Sequence, residues 1–154
     1  MSLLKFDLNH NPPIGQAERL FPDVQVITAP NASPMTFTGT RTYLIGGEGS
    51  VCIIDPGPND PSHKNNIIKA LCGRNITHIL ITHAHLDHSP LSRELSKITK
   101  APIYGFGSPE TGRSLHMKKL VLNSDYIGGG EGIDHFYIPD IFLTDKMIIE
   151  GEGW

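Results

Sequence analysis

Short aliphatic runs, broken by glycine, proline and serine, dominate the first two thirds of the chain, and their periods predict alternating strands and helices. "VQVITA", residues 24–29, alternates as a strand does, and the Pro/Ser/Thr-rich "PNASPMTFTGT" after it reads as an ordered loop. "TYLIGGEGSVCIID" predicts a hairpin, with strands over 42–46 and 50–55 joined by a turn through Gly49. Asp60 followed by Pro61 is a helix start, the aspartate as N-cap and the proline at the first helical position. Ile67, Ile68 and Leu71 form the apolar face of a helix over 61–72, and Gly73 is its expected stop. "ITHILIT", residues 76–82, is nearly continuous and β-branched, the pattern of a strand covered on both faces. Ser89-Pro90 repeats the cap-plus-proline start, and Leu91, Leu95 and Ile98 mark the buried face of a second helix. "APIYGF" reads as a further strand. The pattern weakens beyond Ser108; "GGGEG" near 130 is a loop, the stretch from Gly128 to Asp134 is a candidate lid, and "KMIIEGEGW" begins a final strand.

Strand 50–55, helix 61–72 and strand 76–82 make a β-α-β unit, so the two strands lie parallel in one sheet. Sites in such sheets form just past the carboxyl ends of the strands. Asp55 follows one of those ends and His83 the other, so chain order alone brings them together.

Length and charge then bound the reading. The 154 residues suit a single domain spanning 1–154, and 38% hydrophobic with 19% charged residues is an ordinary globular composition. A net charge of −3, with no basic run beyond Lys118-Lys119, lowers nucleic-acid binding without excluding it; a small-molecule substrate is the partner expected instead. Apolar runs are too short for a membrane span, and the first eleven residues carry no export pattern, so a cytoplasmic location is expected. Cys52 and Cys72, each beside aliphatics, read as small core residues. His10, His63 and His78 have no motif around them and read as surface or core-edge histidines.

The chemistry concentrates in "ILITHAHLDHSP", where three of the eight histidines fall within six positions with an aspartate among them. An extended chain through 83–87 points His83, His85 and Asp87 to one side, and the turn into the helix at Ser89 swings His88 alongside. Imidazole nitrogens and carboxylate oxygens are zinc ligands, and a loop held between strand and helix supplies them at little ordering cost.

The stretch His83-Ala84-His85-Leu86-Asp87-His88 resembles the H-x-H-x-D-H motif of the metallo-β-lactamase fold superfamily, and "TFTGTRTYLIG" and "IDPGP" resemble its lactamase-beta-2-like branch. The resemblance runs from about Val24 to Trp154. It implies an α/β fold, the αββα sandwich, here cut to roughly its N-terminal half, with a mixed sheet and flanking helices. It also implies that His83 and His85 bind a first Zn2+, and that Asp87 and His88 bind a second. Asp87 is thereby the candidate catalytic carboxylate, and Asp55 orients the cluster from behind. The implied chemistry is hydrolysis of an ester, thioester, lactam or phosphodiester by hydroxide held between two metals.

The pattern departs from that family after the motif. A histidine in a T-P-G-H-like segment, a bridging aspartate and a last histidine normally follow, whereas "SLHMK" around His116 and "IDHFY" around His135 match neither context. Two readings follow. One is a zinc-dependent hydrolase whose activity in this chain alone is depressed. The other is an inert half-domain that binds metal weakly or only oligomerises. Since the strands are aliphatic on both alternating sets, a sheet without its partner sheet exposes one apolar face, and a homodimer is expected.

Overall fold

The computed structural model describes residues 9–122 and 132–154. Its strands are β1 (Ala17–Phe21), β2 (Val24–Thr28), β3 (Arg41–Ile45), β4 (Ser50–Ile54), β5 (Asn75–Ile81), β6 (Ile103–Gly105) and β7 (Ile141–Phe142). Its helices are α1 (Pro61–Leu71), α2 (Leu91–Thr99) and α3 (Leu115–Leu122). The strands stand side by side in chain order, antiparallel from β1 to β4 and parallel from β4 to β7. Because β4, β5 and β6 step in one direction, right-handed crossovers put α1 and α2 on the same face of the sheet.

Cross-strand pairing sorts the sheet into two rows. Leu44, Ile53, Ile79 and Ile103 are successive partners, none more than 3% exposed, and with Ile67, Leu71, Leu91 and Leu95 of the helices they form the core. Tyr43, Ile54, Leu80 and Tyr104 make the adjacent row on the opposite face, and all four are only half-buried. The expectation that β5 is covered on both faces therefore holds for one face only. On that second face the His78 ring stacks on Tyr104 with centroids 5.1 Å apart and meets the edge of Trp154 at 5.0 Å.

Local signals set the helix ends with two corrections. The Asp60 carboxylate caps α1 by accepting from the His63 N–H at 2.7 Å, as its position before Pro61 implies. The stop comes one residue earlier than expected, at Cys72, which adopts the left-handed conformation with φ 50°. Cys72 is consequently exposed, while Cys52 is buried; only one of the two cysteines is a core residue. Ser89 does not cap α2. Its hydroxyl donates to Asp134 at 2.9 Å, and Pro90 occupies the cap position with no side-chain bond.

The C-terminal third holds the other differences. "KMIIEGEGW" forms no strand, and Ile148 is 80% exposed; the last strand is β7, earlier in the chain. Of the stretch from Gly128 to Asp134, residues 128–131 lie outside the described residues. Gly132 to Asp134 is fastened down: Leu86 N–H donates to Gly132 O at 3.0 Å, Asp134 N–H to Ala84 O at 2.9 Å, and His85 bridges Ile133. No helix among the described residues is long and apolar enough to cross a membrane.

Candidate metal centre

Asp55 leaves β4 in the left-handed conformation, φ 50°, with its N–H still bonded to Leu80 O at 2.9 Å. That turn aims its buried carboxylate across the ends of β4 and β5. There it accepts from Thr82 N–H at 2.8 Å, from the Thr82 hydroxyl at 2.7 Å and from His88 Nδ1 at 3.0 Å. The two strand ends predicted to meet are thus joined through one carboxylate.

These bonds determine which ring nitrogens are free. A carboxylate only accepts, so His88 carries its hydrogen on Nδ1. The Thr82 hydroxyl spends its hydrogen on Asp55, so at 2.9 Å it accepts from His83 Nδ1. Both imidazoles are therefore held by Nδ1–H, directly or through Thr82, with Nε2 turned outward. His83 Nε2 lies 3.1 Å from His85 Nδ1, and His88 Nε2 lies 3.1 Å from Asp87 Oδ2. The His83 and His88 rings are 4.2 Å apart between centroids.

An outward lone pair facing a carboxylate oxygen is repulsive unless a proton or a cation lies between them. The protonation tendencies follow from this arrangement. Burial alone pulls His88 down, but the hydrogen bond to Asp55 and the charges of Asp55 and Asp87 outweigh it and hold it above the ordinary histidine value. Burial, then the neighbouring His88 and His85, holds His83 below that value.

The chain is not extended through the whole motif. It turns over 86–88, with the N–H groups of His88 and Ser89 both donating to His85 O at 3.0 Å. Asp87 is accordingly turned inward, 8% exposed, and its Oδ2 accepts from the Thr40 hydroxyl at 2.9 Å. The cluster thus divides into a His83/His85 pair and an Asp87/His88 pair. Among the described residues, no three His, Cys, Asp or Glu side chains converge on one metal position. Two nitrogens bound tetrahedrally to one zinc stand roughly 3.3 Å apart. The 3.1 Å separation within each pair matches two corners of such a shell, and imidazole with carboxylate is a donor set zinc accepts.

Beside His83 and His85 opens a pocket of about 240 Å³, walled by Ile81, Ala84, Phe106 and Tyr137 among others. Beneath Asp55 lies His63, fully buried, where no motif foretold a role. Thr42 donates to Asp55 O at 2.8 Å and so must accept from His63 Nε2, also at 2.8 Å, which props the Asp55 turn from below. Sequence reasoning missed Thr40, Thr82 and Asp134. Thr82 is adjacent to the motif, but a lone threonine at a strand end has no signature, and the other two are 47 and 45 residues from the groups they bind.

The family model of the Metallo-beta-lactamase superfamily matches residues 35–154. An atrochrysone carboxyl ACP thioesterase of Aspergillus terreus is 36% identical over 53% of this chain and 26% of its own length. A beta-lactamase-like protein 2 homolog of Caenorhabditis elegans is 35% identical over 63% of this chain and 34% of its own. Among solved structures, the class B3 di-zinc metallo-beta-lactamase LRA-12 from an Alaskan soil metagenome is similar at 25% identity with TM-score 0.58, over 97% of this chain and 52% of that enzyme. The matched stretch is thus a quarter to a third of these curated relatives and about half of the solved one. With a family match over 120 of its 154 residues, and with the half-sheet and the motif loop both as described, the chain belongs to the metallo-beta-lactamase superfamily.

Proposed function

We propose that this chain carries the metal-binding face of a zinc-dependent hydrolase that cleaves thioesters. The observation that carries the reading is the Asp55 carboxylate, which fixes His83 and His88 by Nδ1–H and leaves both Nε2 atoms facing a second donor 3.1 Å away. Histidines that bind metals are held in this way through the other ring nitrogen. On this reading His83 and His85 would hold one ion, Asp87 and His88 a second, with Asp87 as the catalytic carboxylate. Bound there, zinc supplies Lewis acidity and an activated water near neutral pH.

The chain's own residues supply position. Asp55 and Thr82 hold the rings, the turn over 86–88 presents Asp87, and the segment fastened by Asp134 keeps the loop on α2. The pocket beside His83 and His85 is walled mainly by apolar groups and suits the acyl part of a substrate. A thioester is favoured over an oxygen ester or phosphodiester because relatives of 35–36% identity are named acyl-carrier thioesterases.

A second reading, an inert half-domain that binds metal weakly or only oligomerises, is favoured by the absence of three converging donors among the described residues. Zinc counted per chain, on protein purified without chelator, and hydrolysis of an acyl thioester separate the two. We expect zinc that His83→Ala and His88→Ala each remove in part. Turnover should be at least about a hundredfold below that of a relative with a full set of zinc ligands, because missing ligands cost several kcal/mol of transition-state stabilisation. Protein free of zinc at saturating concentrations of the ion would remove the metal centre. Turnover at ordinary enzyme rates, abolished by His85→Ala, would show instead that the donors present suffice.

A further inference from the structure

We infer that Thr40, oriented by Asn31, is a positioning residue that sets the Asp87 carboxylate for its metal; the inference rests on the metal-centre reading above. The direction of every bond in this chain of contacts is determined. A backbone N–H can only donate, so the Thr40 N–H at 2.9 Å fixes the Asn31 amide with its oxygen toward Thr40 N. The Asn31 NH2 then lies 3.0 Å from the Thr40 hydroxyl and donates to it. The hydroxyl has a single hydrogen, and with its oxygen accepting from Asn31, that hydrogen points to Asp87 Oδ2 at 2.9 Å.

The oxygen chosen is the one that faces His88 Nε2 at 3.1 Å. The hydrogen bond therefore selects the carboxylate orientation that pairs Asp87 with the outward nitrogen of His88. Thr40 is 5% exposed and Asp87 8%, so water does not compete for the contact.

The donor is also rigidly mounted. Thr40 immediately precedes β3, and its carbonyl accepts from Ala29 N–H at 2.9 Å, which extends the β2–β3 pairing by one step. The intervening loop is closed on itself: Ser33 Oγ accepts from Thr36 N–H at 3.1 Å and Ser33 O from Phe37 N–H at 2.8 Å. A hydroxyl fixed to the frame of the sheet can hold a ligand's rotamer, whereas one on a loose loop would follow it.

The test has a metal-free arm and a zinc arm. In metal-free protein, the stability cost of Thr40→Val should be clearly smaller in an Asp87→Ala background than in wild type; additive costs overturn the contact. In the zinc arm, a competing chelator reads the dissociation constant. Thr40→Val should weaken zinc by about 10–100-fold, the usual effect of removing a ligand's hydrogen-bond partner, and Thr40→Ser should restore it. Asn31→Ala, which leaves Thr40 itself intact, should weaken zinc in the same direction and serves where the valine variant fails to fold. Zinc held equally by wild type and Thr40→Val overturns the role of Thr40 alone. A wild-type chain that binds no zinc overturns the metal centre and this role with it.

Discussion

His63 illustrates how a residue outside the motif couples the site to the fold. Burial pushes its imidazole down to about 4, only partly countered by the Asp60 charge, and its Nε2–H is committed to Thr42 under the Asp55 turn. The folded protein thus keeps this ring neutral, while an unfolded chain takes up a proton near pH 6.5. Between those values the unfolded state binds more protons, so stability falls as pH drops from about 6.5 toward 4. From pH 7 to pH 5 the expected loss is about 2 kcal/mol. Denaturant titrations of wild type and His63→Gln at both pH values check this. The variant should be less stable at pH 7 but lose less on acidification, and equal slopes would assign the acid sensitivity to other groups.

Among the elements, β6 and the segment after residue 131 are matched to each other. A Cβ built on Gly105 would stand 1.9 Å from the Tyr137 hydroxyl, so that hydroxyl occupies the space a side chain at 105 would fill. Gly105→Ala should cost about 1–3 kcal/mol by overpacking. Pairing it with Tyr137→Phe should recover part of the loss. Tyr137→Phe alone should be close to neutral, because that hydroxyl is buried with no partner among the described residues. Thermal melts of the three variants decide it, and a Gly105→Ala protein as stable as wild type would mean that the segment simply moves aside. The same segment reaches α2 through Asp134, which accepts from Ser89 and Arg93. This contact explains why Ser89-Pro90, a cap signal by sequence, does not cap. The Ser89 hydroxyl bonds Asp134, a partner that no local pattern reveals.

At the scale of the whole molecule, the two rows of the sheet differ in cover. Leu44, Ile53, Ile79 and Ile103 lie under α1 and α2, whereas Tyr43, Ile54, Leu80 and Tyr104 remain half-buried, touched by Trp154 at one end through His78. A partly exposed row of this kind, Ile54 and Leu80 flanked by two tyrosines, is a surface that a second copy of the chain can cover further. We expect the chain to pair through this face or the sheet edge about a twofold axis. Light scattering on dilute protein should give about twice the 16.9 kDa of one chain. A well-behaved particle at the single-chain mass would mean that the face tolerates water, and Leu80→Lys should shift a true dimer to that mass.

Periodicity along the chain was enough to determine the hairpin of β3 and β4, the β-α-β unit and the start of α1. Each strand or helix in them is encoded by its own local signal, by alternation, by a glycine turn or by Asp60 before Pro61. Local spacing also put Asp55, His83, His85, Asp87 and His88 past the carboxyl ends of β4 and β5, because strand order alone brings those positions together. Tertiary structure alone decided the rest. It turned Asp87 away from the predicted common side and toward Thr40, and it buried His63 beneath Asp55. It also replaced the expected last strand near Met147 by β7 and drew Ser89 off its helix. The physical reason is common to these cases. Each depends on a hydrogen bond or packing contact between residues distant in sequence, and the geometry of such a contact leaves no periodic trace in either partner's neighbourhood.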